Sequence, residues 1–520
     1  MPNLADHLFR QARERPDKIA LIHEGETWTF ARLADAVRRV AGALAAAGIG
    51  TGTRVGLMTT ARPDFIITQQ AIFVLGATLT PLNIFYKRAD LAHVITSCDL
   101  EVLIMDRDFV ENLPDEADCG ELRSILVFGL PTDAGRLASA DGLGQTGAAI
   151  DRPVDLPETA IGMMLNTSAT TGKAKGVMLS LANLRANYDR TPEWLGLNSE
   201  SVILCALPLY NTFGLNQGIN ALMVTGGTMV LLPRFDADRC LDAITAHGCT
   251  FLPMVPTMLQ RIVDHPEAET RDLSSVSRIL TGAAPVPAAL LERIYRVMGH
   301  DTVVMTAYGL TEASAIVTLE HITLRADGRI ERPKSIGQVL PGMEVRILTD
   351  DGRPTAAGEV GEICIRGPNI MQGYYRQPDE TALAIRDGWL HSGDLGYFDA
   401  DGHGYIVDRK KDVIIRGGQN IYPADIEDVI YHIPGIREVA VVGQPDDKLG
   451  EVPVAYVALQ PGCHLTADAL IDRCKQELAY YKVPAAVHFL AELPKGPTGK
   501  ILRRGLKSPA GTANPPGVTP

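Results

Sequence analysis

Short apolar runs alternate with helix-length amphipathic segments up to about residue 330, and this alternation limits the fold more than any other feature of the sequence. RVGLMT (54–59), EVLIMD (101–106) and TVVMTAYG (302–309) have the length and composition of buried strands. Between such runs lie helical patterns, of which residues 29–48 and 287–299 are clear examples. Strands that alternate with helices predict an α/β fold with largely parallel sheets.

The pattern changes from Ser335, where the sequence becomes rich in strand-like runs separated by turn residues. GEVGEICIRG (358–367) is typical of this part and predicts a barrel-like or antiparallel section. A compact alternation of helices and strands follows DRKKD (408–412), which indicates a domain boundary there. The predicted division is an N-terminal domain over 1–408, a C-terminal domain over 409–506 and a disordered, Pro- and Gly-rich tail over 507–520.

Length and composition exclude some classes of protein. The 520 residues suffice for two or more domains with buried cores, and the formal net charge of −13 argues against a nucleic-acid or membrane-surface binder. Eight scattered cysteines without a CxxC pair indicate free thiols in a reducing compartment rather than disulfides or zinc. The N-terminal residues carry early charges without an apolar signal core, and no stretch reaches the roughly 18 apolar residues of a membrane helix. We expect a cytoplasmic protein with no membrane span and no nucleic-acid partner.

The stretch NTSATTGKAKG (166–176) combines hydroxyl side chains with glycines and lysines. It is not a Walker loop, because Gly172–Lys173 is followed by Ala174 instead of Ser or Thr. Its apolar flanks predict two strands, so the stretch is expected to be the loop of a hairpin. Such a loop can hold a phosphate, although clusters of Ser, Thr and Gly are also typical of plain surface turns. The residues expected to surround the phosphate are Thr167, Ser168, Thr170, Thr171, Gly172 and Lys175.

Further blocks follow this loop along the chain. They are LPLYNTFGL (207–215), TGAAP (281–285), YGLTE (308–312), GWLHSGDLGYFDADGHGYIVDRKKDVI (388–414), GGQNIYPADIE (417–427) and PKGPTGKILRR (494–504). Together with the loop, and in the same order, they resemble the signature blocks of the adenylate-forming superfamily. That superfamily comprises acyl- and aryl-CoA synthetases, adenylation domains of peptide synthetases and firefly luciferases. The resemblance extends over nearly the whole chain, to about residue 505.

The resemblance implies two half-reactions in one active site. A carboxylate attacks the α-phosphate of ATP to give an acyl-adenylate and pyrophosphate, and a thiol then displaces AMP to give a thioester. The implied ligands are a small-molecule carboxylic acid, ATP or AMP, Mg²⁺ and coenzyme A, or the phosphopantetheine of an acyl carrier protein. The implied α/β fold has a large N-terminal domain of two α/β subdomains and a β-barrel-like section, followed by a small mobile α/β C-terminal domain.

The matching blocks also imply roles for individual residues. Lys500 would reach the carboxylate and the α-phosphate during adenylation, and Glu312 would be the carboxylate ligand of Mg²⁺. Lys411 would be the pivot of the mobile domain, and Gly418 would let the pantetheine arm pass close to the backbone.

The nucleotide would be held by residues from several blocks. Asp394 would accept both ribose hydroxyls, with Arg409 beside it. The remaining residues expected at the AMP site are Gly282, Ala283, Ala284, Pro285, Tyr308, Gly309 and Thr311. Each of these residues also has a plainer explanation as part of a turn or a cap.

Four positions depart from the pattern of the superfamily. Ala169 and Ala174 replace the usual glycine and proline of the phosphate loop, which would weaken phosphate binding without abolishing it. Asn211 stands where acyl-CoA synthetases usually place a histidine, and it cannot become cationic. Lys334 occupies a position usually held by glycine, where it either pairs with a substrate group or is an exposed loop lysine. The residues expected to line the acyl pocket are Asn211, Phe213, Ala307 and Lys334.

The leading functional prediction is a carboxylic acid–CoA ligase. One alternative is a stand-alone adenylating enzyme that loads the phosphopantetheine of a carrier protein. A second is an adenylation-impaired ligase that mainly forms the thioester from a supplied acyl-adenylate, and a third is a catalytically silent homologue that acts as a binding protein. Retention of Lys500, Glu312 and Asp394 favours an active enzyme. The sequence leaves open whether the chain forms a homodimer.

Overall fold

A computed structural model describes residues 3–146, 148–167, 174–284, 286–495 and 501–507. The chain divides into two compact units. The first contains the described residues up to Arg346 together with Cys364–Ser392 and Phe398–Tyr405. The second contains Ile347–Ile363, Gly393–Tyr397 and the described residues from Ile406 onward. The predicted domain boundary at residue 408 stays a prediction, as does the predicted mobility of the C-terminal domain; residues 508–520 of the predicted tail lie outside the described residues.

The helices alternate with strands along most of the chain. The α-helices are α1 Asp6–Glu14, α2 Phe30–Ala46, α3 Pro63–Val74, α4 Arg88–Ser97, α5 Leu143–Thr146, α6 Leu181–Tyr188, α7 Thr191–Trp194, α8 Thr212–Gly214, α9 Ala221–Thr225, α10 Ala237–His247, α11 Pro256–Val263, α12 Ala288–Met298, α13 Pro378–Ala384, α14 Pro423–Tyr431 and α15 Ala467–Glu477. Short 3₁₀ turns span Arg107–Asn112, Glu116–Asp118, Thr311–Ala313, Lys410–Asp412 and Arg503–Leu506, and a π-helical turn spans Leu215–Asn220.

The strands are β1 Ile19–His23, β2 Glu26–Thr29, β3 Arg54–Met58, β4 Thr78–Pro81, β5 Val102–Asp106, β6 Ser124–Phe128, β7 Leu137–Ser139, β8 Ile161–Thr167, β9 Lys175–Ser180, β10 Val202–Cys205, β11 Thr228–Leu231, β12 Phe251–Pro253, β13 Arg278–Gly282, β14 Val303–Leu310, β15 Ala315–His321, β16 Ser335–Val339, β17 Glu344–Leu348, β18 Gly361–Arg366, β19 Gly373–Tyr374, β20 Ile385–Arg386, β21 Trp389–Phe398, β22 Gly404–Arg409, β23 Ile414–Arg416, β24 Gln419–Ile421, β25 Ile436–Asp446, β26 Gly450–Leu459 and β27 Ala486–Phe489.

One sheet of the first unit has the strand order β2-β1-β11-β10-β12-β13-β14-β15-β16. The pairs from β1 to β14 are parallel, whereas β14, β15 and β16 pair antiparallel. Its interior strands are almost fully buried, and α10, α11 and α12 cover one face with a continuous apolar core that includes Leu252, Ile279 and Ile294. The predicted change from parallel to antiparallel pairing is confirmed, although it begins at β15, before Ser335; a closed barrel stays a prediction.

The other sheet of the first unit has the order β19-β9-β8-β4-β3-β5-β6-β7. The six strands β8, β4, β3, β5, β6 and β7 pair parallel in this order. The hairpin β8–β9 and the short strand β19 add antiparallel pairs at one edge. Two sheets with mainly parallel strands confirm the predicted α/β class. The predicted helix over 29–48 is α2, which begins after Thr29 because the Thr29 hydroxyl accepts a hydrogen bond from the Arg32 N–H group.

The second unit contains a sheet of order β24-β23-β26-β25, with β27 parallel to β26. Strands β25 and β26 form a long antiparallel ribbon, and α14 and α15 cover it around a core that includes Ile426, Val441 and Leu470. These are the helices and strands that the sequence predicts after DRKKD. In neither unit, over the described residues, is any helix both long enough and apolar enough to span a membrane.

Candidate active site

The predicted hairpin around NTSATTGKAKG is present. Strands β8 and β9 pair antiparallel, and Thr167 lies opposite Lys175 at the point where the loop begins and ends. Ser168, Ala169, Thr170, Thr171 and Gly172 lie outside the described residues. Ala174, which replaces the usual proline, packs against the apolar core beside Met164, and its carbonyl oxygen bonds to His93 Nε2 at 2.9 Å. The loop therefore returns to the sheet through an anchored residue even without proline.

Lys175 belongs to a group of paired polar side chains at this sheet edge. Strand β19 lies beside β9 with Tyr374 opposite Val177, which places Tyr374 diagonally across from Lys175 on the same face. The Lys175 ammonium lies 4.8 Å from the centre of the Tyr374 ring and forms an ion pair with Glu380 of α13. The Tyr374 hydroxyl donates to Glu312 Oε1 at 3.0 Å. The predicted metal ligand and the predicted phosphate lysine are thus joined through one tyrosine.

Tyr374 stays a hydrogen-bond donor over the physiological pH range. Burial raises the pKa of its hydroxyl, and the Glu312 carboxylate beside it raises the pKa further. The hydrogen bond from this neutral donor fixes the direction of one carboxylate oxygen of Glu312. Glu312 therefore presents an oriented oxygen donor of the kind that Mg²⁺ prefers.

The backbone around Glu312 is held from two sides. Its carbonyl oxygen accepts the Met371 N–H group at 2.8 Å, and its 3₁₀ turn ends at Ser314, whose φ is 58°. The strand before the turn contains a bulge at Tyr308 and Gly309. A Cβ on Gly309 would lie 1.6 Å from the Ala315 carbonyl oxygen, so no other residue fits this backbone path. The glycine and the acidic residue of YGLTE are therefore parts of one tightly built turn that also contains Thr311.

The predicted adenine-site residues lie where β13 and β14 end. Gly282 pairs with Ala307, and a Cβ on Gly282 would lie 2.6 Å from the Ala307 carbonyl oxygen. Ala283 has a φ of 63°, so the chain leaves β13 through a left-handed residue, followed by the exposed Ala284. Tyr308 is buried on β14. Pro285 lies outside the described residues. The structure thus brings Gly282 and Ala307 together at one end of the parallel strands, where ligands of open α/β sheets bind.

Asn211 and Phe213 follow β10, a strand of the same parallel sheet, and so lie toward the same edge. Asn211 precedes α8 without capping it through its side chain, and both residues are half-buried. The π-helical turn Leu215–Asn220 comes directly after α8, an irregularity that is frequent at functional sites. Burial raises the pKa of the neighbouring Tyr210 to about 12, so this aromatic stays uncharged.

Lys334 lies just before β16, whose first residue, Ser335, contacts the middle of β14. The Thr306 hydroxyl donates to the Ser335 carbonyl oxygen at 3.2 Å, and Lys334 itself is exposed. Its φ is 68°, a left-handed conformation that favours glycine. The glycine usual at this position in the superfamily therefore has a backbone explanation, and Lys334 adopts the same backbone at a conformational cost.

In the second unit, the predicted ribose residues contact each other. Arg409 Nε lies 2.9 Å from Asp394 Oδ1; the Asp394 side chain is only 8% exposed, whereas that of Arg409 is 53% exposed. The guanidinium fixes the orientation of the buried carboxylate through this ion pair. Such a carboxylate can accept further hydrogen bonds from neighbouring hydroxyl groups.

Lys411 and Gly418 are both exposed. Partial desolvation lowers the pKa of Lys411, and the nearby Arg409 and Lys507 lower it further. Gly418 has a φ of 81°, and no heavy atom lies within 4 Å of the position that a Cβ would take. Within the described residues, the requirement for glycine at 418 thus comes from left-handed backbone and not from crowding.

A buried charge cluster lies next to these residues. Arg503 Nη2 pairs with Glu427 Oε2 at 2.7 Å, and Arg503 Nη1 lies 4.0 Å from Asp408 Oδ1. Asp408 also accepts the Ala424 N–H group at the start of α14, and Glu427 accepts the Val441 N–H group. Burial raises the pKa of both carboxyl groups. The cluster fixes the segment 501–507 on α14; Lys500, the predicted catalytic lysine, lies outside the described residues.

Sequence reasoning missed five residues of these clusters. Tyr374, Glu380, Asp408, Glu427 and Arg503 contact the predicted residues or anchor the segments that carry them. Asp408, Glu427 and Arg503 fall inside quoted blocks, where two carboxyl groups and an arginine could have indicated an ion-pair cluster. Tyr374 and Glu380 carry no local signal, since they are distant in sequence from their partners.

Known proteins match nearly the whole length of this chain. A family model described as AMP-binding enzyme matches residues 8–375, and one described as AMP-binding enzyme C-terminal domain matches residues 425–500. The chain is 36% identical over 497 residues to a feruloyl-CoA synthase of an Amycolatopsis species, covering 95% of this chain and 96% of that relative. It is 34% identical over 505 residues to an indoleacetate–CoA ligase of Aromatoleum aromaticum, covering 97% of each.

Solved structures also superimpose on nearly the whole of this chain. The o-succinylbenzoate CoA synthetase from Bacillus subtilis, in complex with its acyl-adenylate intermediate, superimposes with a TM-score of 0.85 at 31% identity and 98% coverage of both chains. The same synthetase in complex with ATP and a magnesium ion gives a TM-score of 0.85 at 30% identity, covering 98% of this chain and 100% of that chain.

Proposed function

The chain belongs to the family of AMP-binding enzymes, and from that premise we propose that it is an ATP-dependent ligase that joins a carboxylic acid to the thiol of coenzyme A. The observation that carries the proposal is the pair of contacts made by Tyr374: its ring lies against the Lys175 ammonium, and its hydroxyl donates to Glu312. These contacts bring together a cation that can bind phosphate and an oriented carboxylate that can bind a metal ion. The named relatives that the chain matches over nearly its full length are CoA ligases or synthetases.

The first half-reaction brings the substrate carboxylate, which is anionic, against the anionic polyphosphate. The substrate oxygen bonds to the α-phosphorus of ATP while the bond to the β-phosphate oxygen breaks, and pyrophosphate leaves. Mg²⁺ would neutralise charge on the phosphate oxygens, with Glu312 as its protein ligand. Lys175 and the hydroxyl-rich loop would bind the phosphates, and Lys500 would stabilise charge at the reacting carboxylate.

The second half-reaction gives the thioester. The sulfur of CoA bonds to the acyl carbon, the thiol proton is lost, and AMP leaves with the electron pair of the broken C–O bond. Asp394 and Arg409 would hold the ribose of AMP through this step. Lys411 would be the pivot of the C-terminal domain, and Gly418 would lie on the path of the pantetheine arm. The left-handed backbone at Gly418 would be strained by any residue with a side chain.

The acid itself is proposed to be a ring-bearing, largely apolar carboxylic acid. Asn211, Phe213, Ala307 and Lys334 would line its pocket. Feruloyl, indoleacetate and o-succinylbenzoate, the groups for which the three relatives are named, all carry rings. Asn211 fits a ring substituent that accepts or donates hydrogen bonds, because its amide does both without carrying charge.

CoA, and not a carrier protein, is the proposed acceptor, since the relatives are named for CoA. We also propose the cytoplasm as the place of action, supported by eight cysteines that form no disulfide, seven of which are buried. A homodimer stays a prediction that light scattering can test.

The deciding experiment measures pyrophosphate and AMP release over a panel of ring-bearing and aliphatic carboxylic acids, with and without CoA or holo carrier protein. Pyrophosphate release that depends on the acid, followed by acyl-CoA formation, is expected. Thioester formation from a supplied acyl-adenylate without any pyrophosphate from free acids would instead favour the adenylation-impaired enzyme, and inactivity in both assays would favour a binding protein. Lys500→Ala is expected to lose adenylation and to keep thioester formation from acyl-adenylate.

A further inference from the structure

The ammonium group of Lys175 is already neutralised by a carboxylate of the same chain. Its side chain is 13% exposed and forms an ion pair with Glu380, whose side chain is 40% exposed. The same lysine is the cation that the proposed function assigns to the phosphates of ATP. A phosphate group and Glu380 are both anions, and a single ammonium group that is mostly buried has few directions in which to bind both.

Glu380 is held near Lys175 by the way α13 joins β19. The Tyr374 N–H group donates to the Thr381 hydroxyl at 2.9 Å, and a Cβ on Gly373 would lie 2.7 Å from Thr381 Cγ2. The Tyr375 hydroxyl donates to Asp99 Oδ2 at 2.9 Å, and Arg376 Nη2 forms an ion pair with the same oxygen at 2.8 Å. The first turn of α13 is therefore fixed relative to β9, and Glu380 stays within reach of Lys175.

The two partners differ in what they lose when the pair separates. Glu380 is close enough to solvent for water to replace the ammonium group. Lys175 is mostly buried, and without Glu380 it needs another anion. The pair is therefore stable in the free enzyme and easily exchanged when a polyphosphate arrives.

From this geometry we infer that Glu380 is a competitive latch on Lys175: it holds the ammonium group in the absence of nucleotide and is displaced when the polyphosphate of ATP binds. The inference rests on the proposed function, because it takes Lys175 as a phosphate ligand. Glu380 is a positioning residue in this scheme; it contacts no reacting atom and acts only through Lys175. The latch lowers the affinity for ATP and keeps the buried lysine ordered between turnovers.

The test compares the dissociation constant of MgATP for the full-length protein and its Glu380→Gln variant, measured by calorimetry without acid or CoA. Removal of the carboxylate is expected to tighten MgATP binding roughly two- to five-fold, the range set by a partly exposed ion pair. The gain should shrink as the salt concentration rises, because screening weakens the latch in the wild type.

Asp379→Asn is the matched control, since it removes the same charge one residue away on the same exposed helix turn. Among the described residues Asp379 forms no ion pair, so this variant should bind MgATP as the wild type does. The second control is a double-mutant cycle with Lys175→Met. In the Lys175→Met background, Glu380→Gln is expected to give no further increase in MgATP affinity. Thermal unfolding of each variant shows that the fold is kept.

Equal dissociation constants for wild type and Glu380→Gln, or weaker binding by the variant, would overturn the latch. An equal gain in Asp379→Asn, or a gain that persists in the Lys175→Met background, would also overturn it, because either would indicate a general charge effect. These results are separable from failure of the proposed function. A protein that binds MgATP but releases no pyrophosphate with any acid contradicts the ligase, while its dissociation constants still decide the latch.

Discussion

The two units differ in how they hold their candidate site residues. In the first unit, Lys175 and Glu312 are half-buried, and a tyrosine and a glutamate from a distant segment pair with them. In the second unit, Lys411 and Gly418 are exposed, Asp394 is buried against Arg409, and a neighbouring charge cluster joins Asp408, Glu427 and Arg503. The first arrangement orients the candidate groups themselves, whereas the cluster in the second unit anchors α14 and the segment 501–507. Substitutions should therefore affect chemistry in the first unit and local stability in the second.

The largest effect is expected for Glu312→Gln. The amide keeps the size of the side chain but lacks the charge that a Mg²⁺ ligand needs, so adenylation should fall roughly 10²- to 10³-fold. Pyrophosphate release at saturating acid and ATP measures the loss. Glu193→Gln, which changes an exposed carboxylate of α7, serves as the control. Comparable activity of Glu312→Gln and wild type would remove Glu312 from the metal site.

The corresponding change in the second unit is Arg503→Met, which removes the cation that pairs with Glu427 and lies beside Asp408. It should destabilise the unit by about 2 kcal/mol at neutral pH, because two largely buried carboxyl groups then remain without their counter-charge. Hydrogen exchange of the α14 amides measures this loss, with the α12 amides of the first unit as an internal reference. Adenylation should change far less than stability. A loss of activity without faster exchange would contradict the structural role.

A second variant of this cluster, Glu427→Gln, has a defined pH dependence. Burial raises the pKa of Glu427, so the folded state binds more protons than the unfolded state between the ordinary glutamate pKa, about 4.3, and the raised value. The contribution to stability is therefore complete below that window and is lost as the pH rises through it. Glu427→Gln should show a smaller pH slope of α14 protection, with the remaining slope due to Asp408, whose pKa is also raised. Identical slopes in both proteins would contradict this linkage.

Tyr374→Phe should have an intermediate effect. Loss of the hydrogen bond to the Glu312 carboxylate is worth about 1.5 kcal/mol, which should raise the Mg²⁺ concentration for half-maximal activity about ten-fold. Tyr375→Phe is a matched control, since the Tyr375 hydroxyl donates to Asp99 and not to Glu312. The measurement is a Mg²⁺ titration of pyrophosphate release. An equal shift in both variants would show that the effect is not specific to Glu312.

The smallest effect is expected for Lys334→Gly. Glycine adopts the left-handed backbone at 334 without strain, so the first unit should gain about 1 kcal/mol, visible as a higher midpoint of thermal unfolding. Gly418→Ala imposes the opposite change on the second unit and should lose a similar amount. A destabilised Lys334→Gly variant would show instead that the lysine side chain contributes more than its backbone costs.

Much of the site was predictable because its parts are local. The apolar flanks of residues 166–176 predict a hairpin, and the structure pairs Thr167 with Lys175. The block YGLTE predicts a turn that presents Glu312. Glycine is needed at 309 because a Cβ there would lie against the Ala315 carbonyl oxygen, which only the structure reveals. In contrast, Tyr374 lies 62 residues from Glu312 and Glu380 lies 205 residues from Lys175. No local pattern indicates such partners.

Hydrophobic periodicity, turn residues and the order of the blocks were enough to predict the α/β class and many of the strands and helices, while the nucleotide-binding roles of the candidate residues stay predictions. These features depend on residues that are close together in the chain, so short stretches of sequence are enough to predict them. The pairing of β19 with β9, which brings Tyr374 and Glu380 to Lys175, was decided only by the folded chain. Antiparallel pairing across nearly two hundred residues depends on sheet packing, and so does the charge state of the groups that it buries.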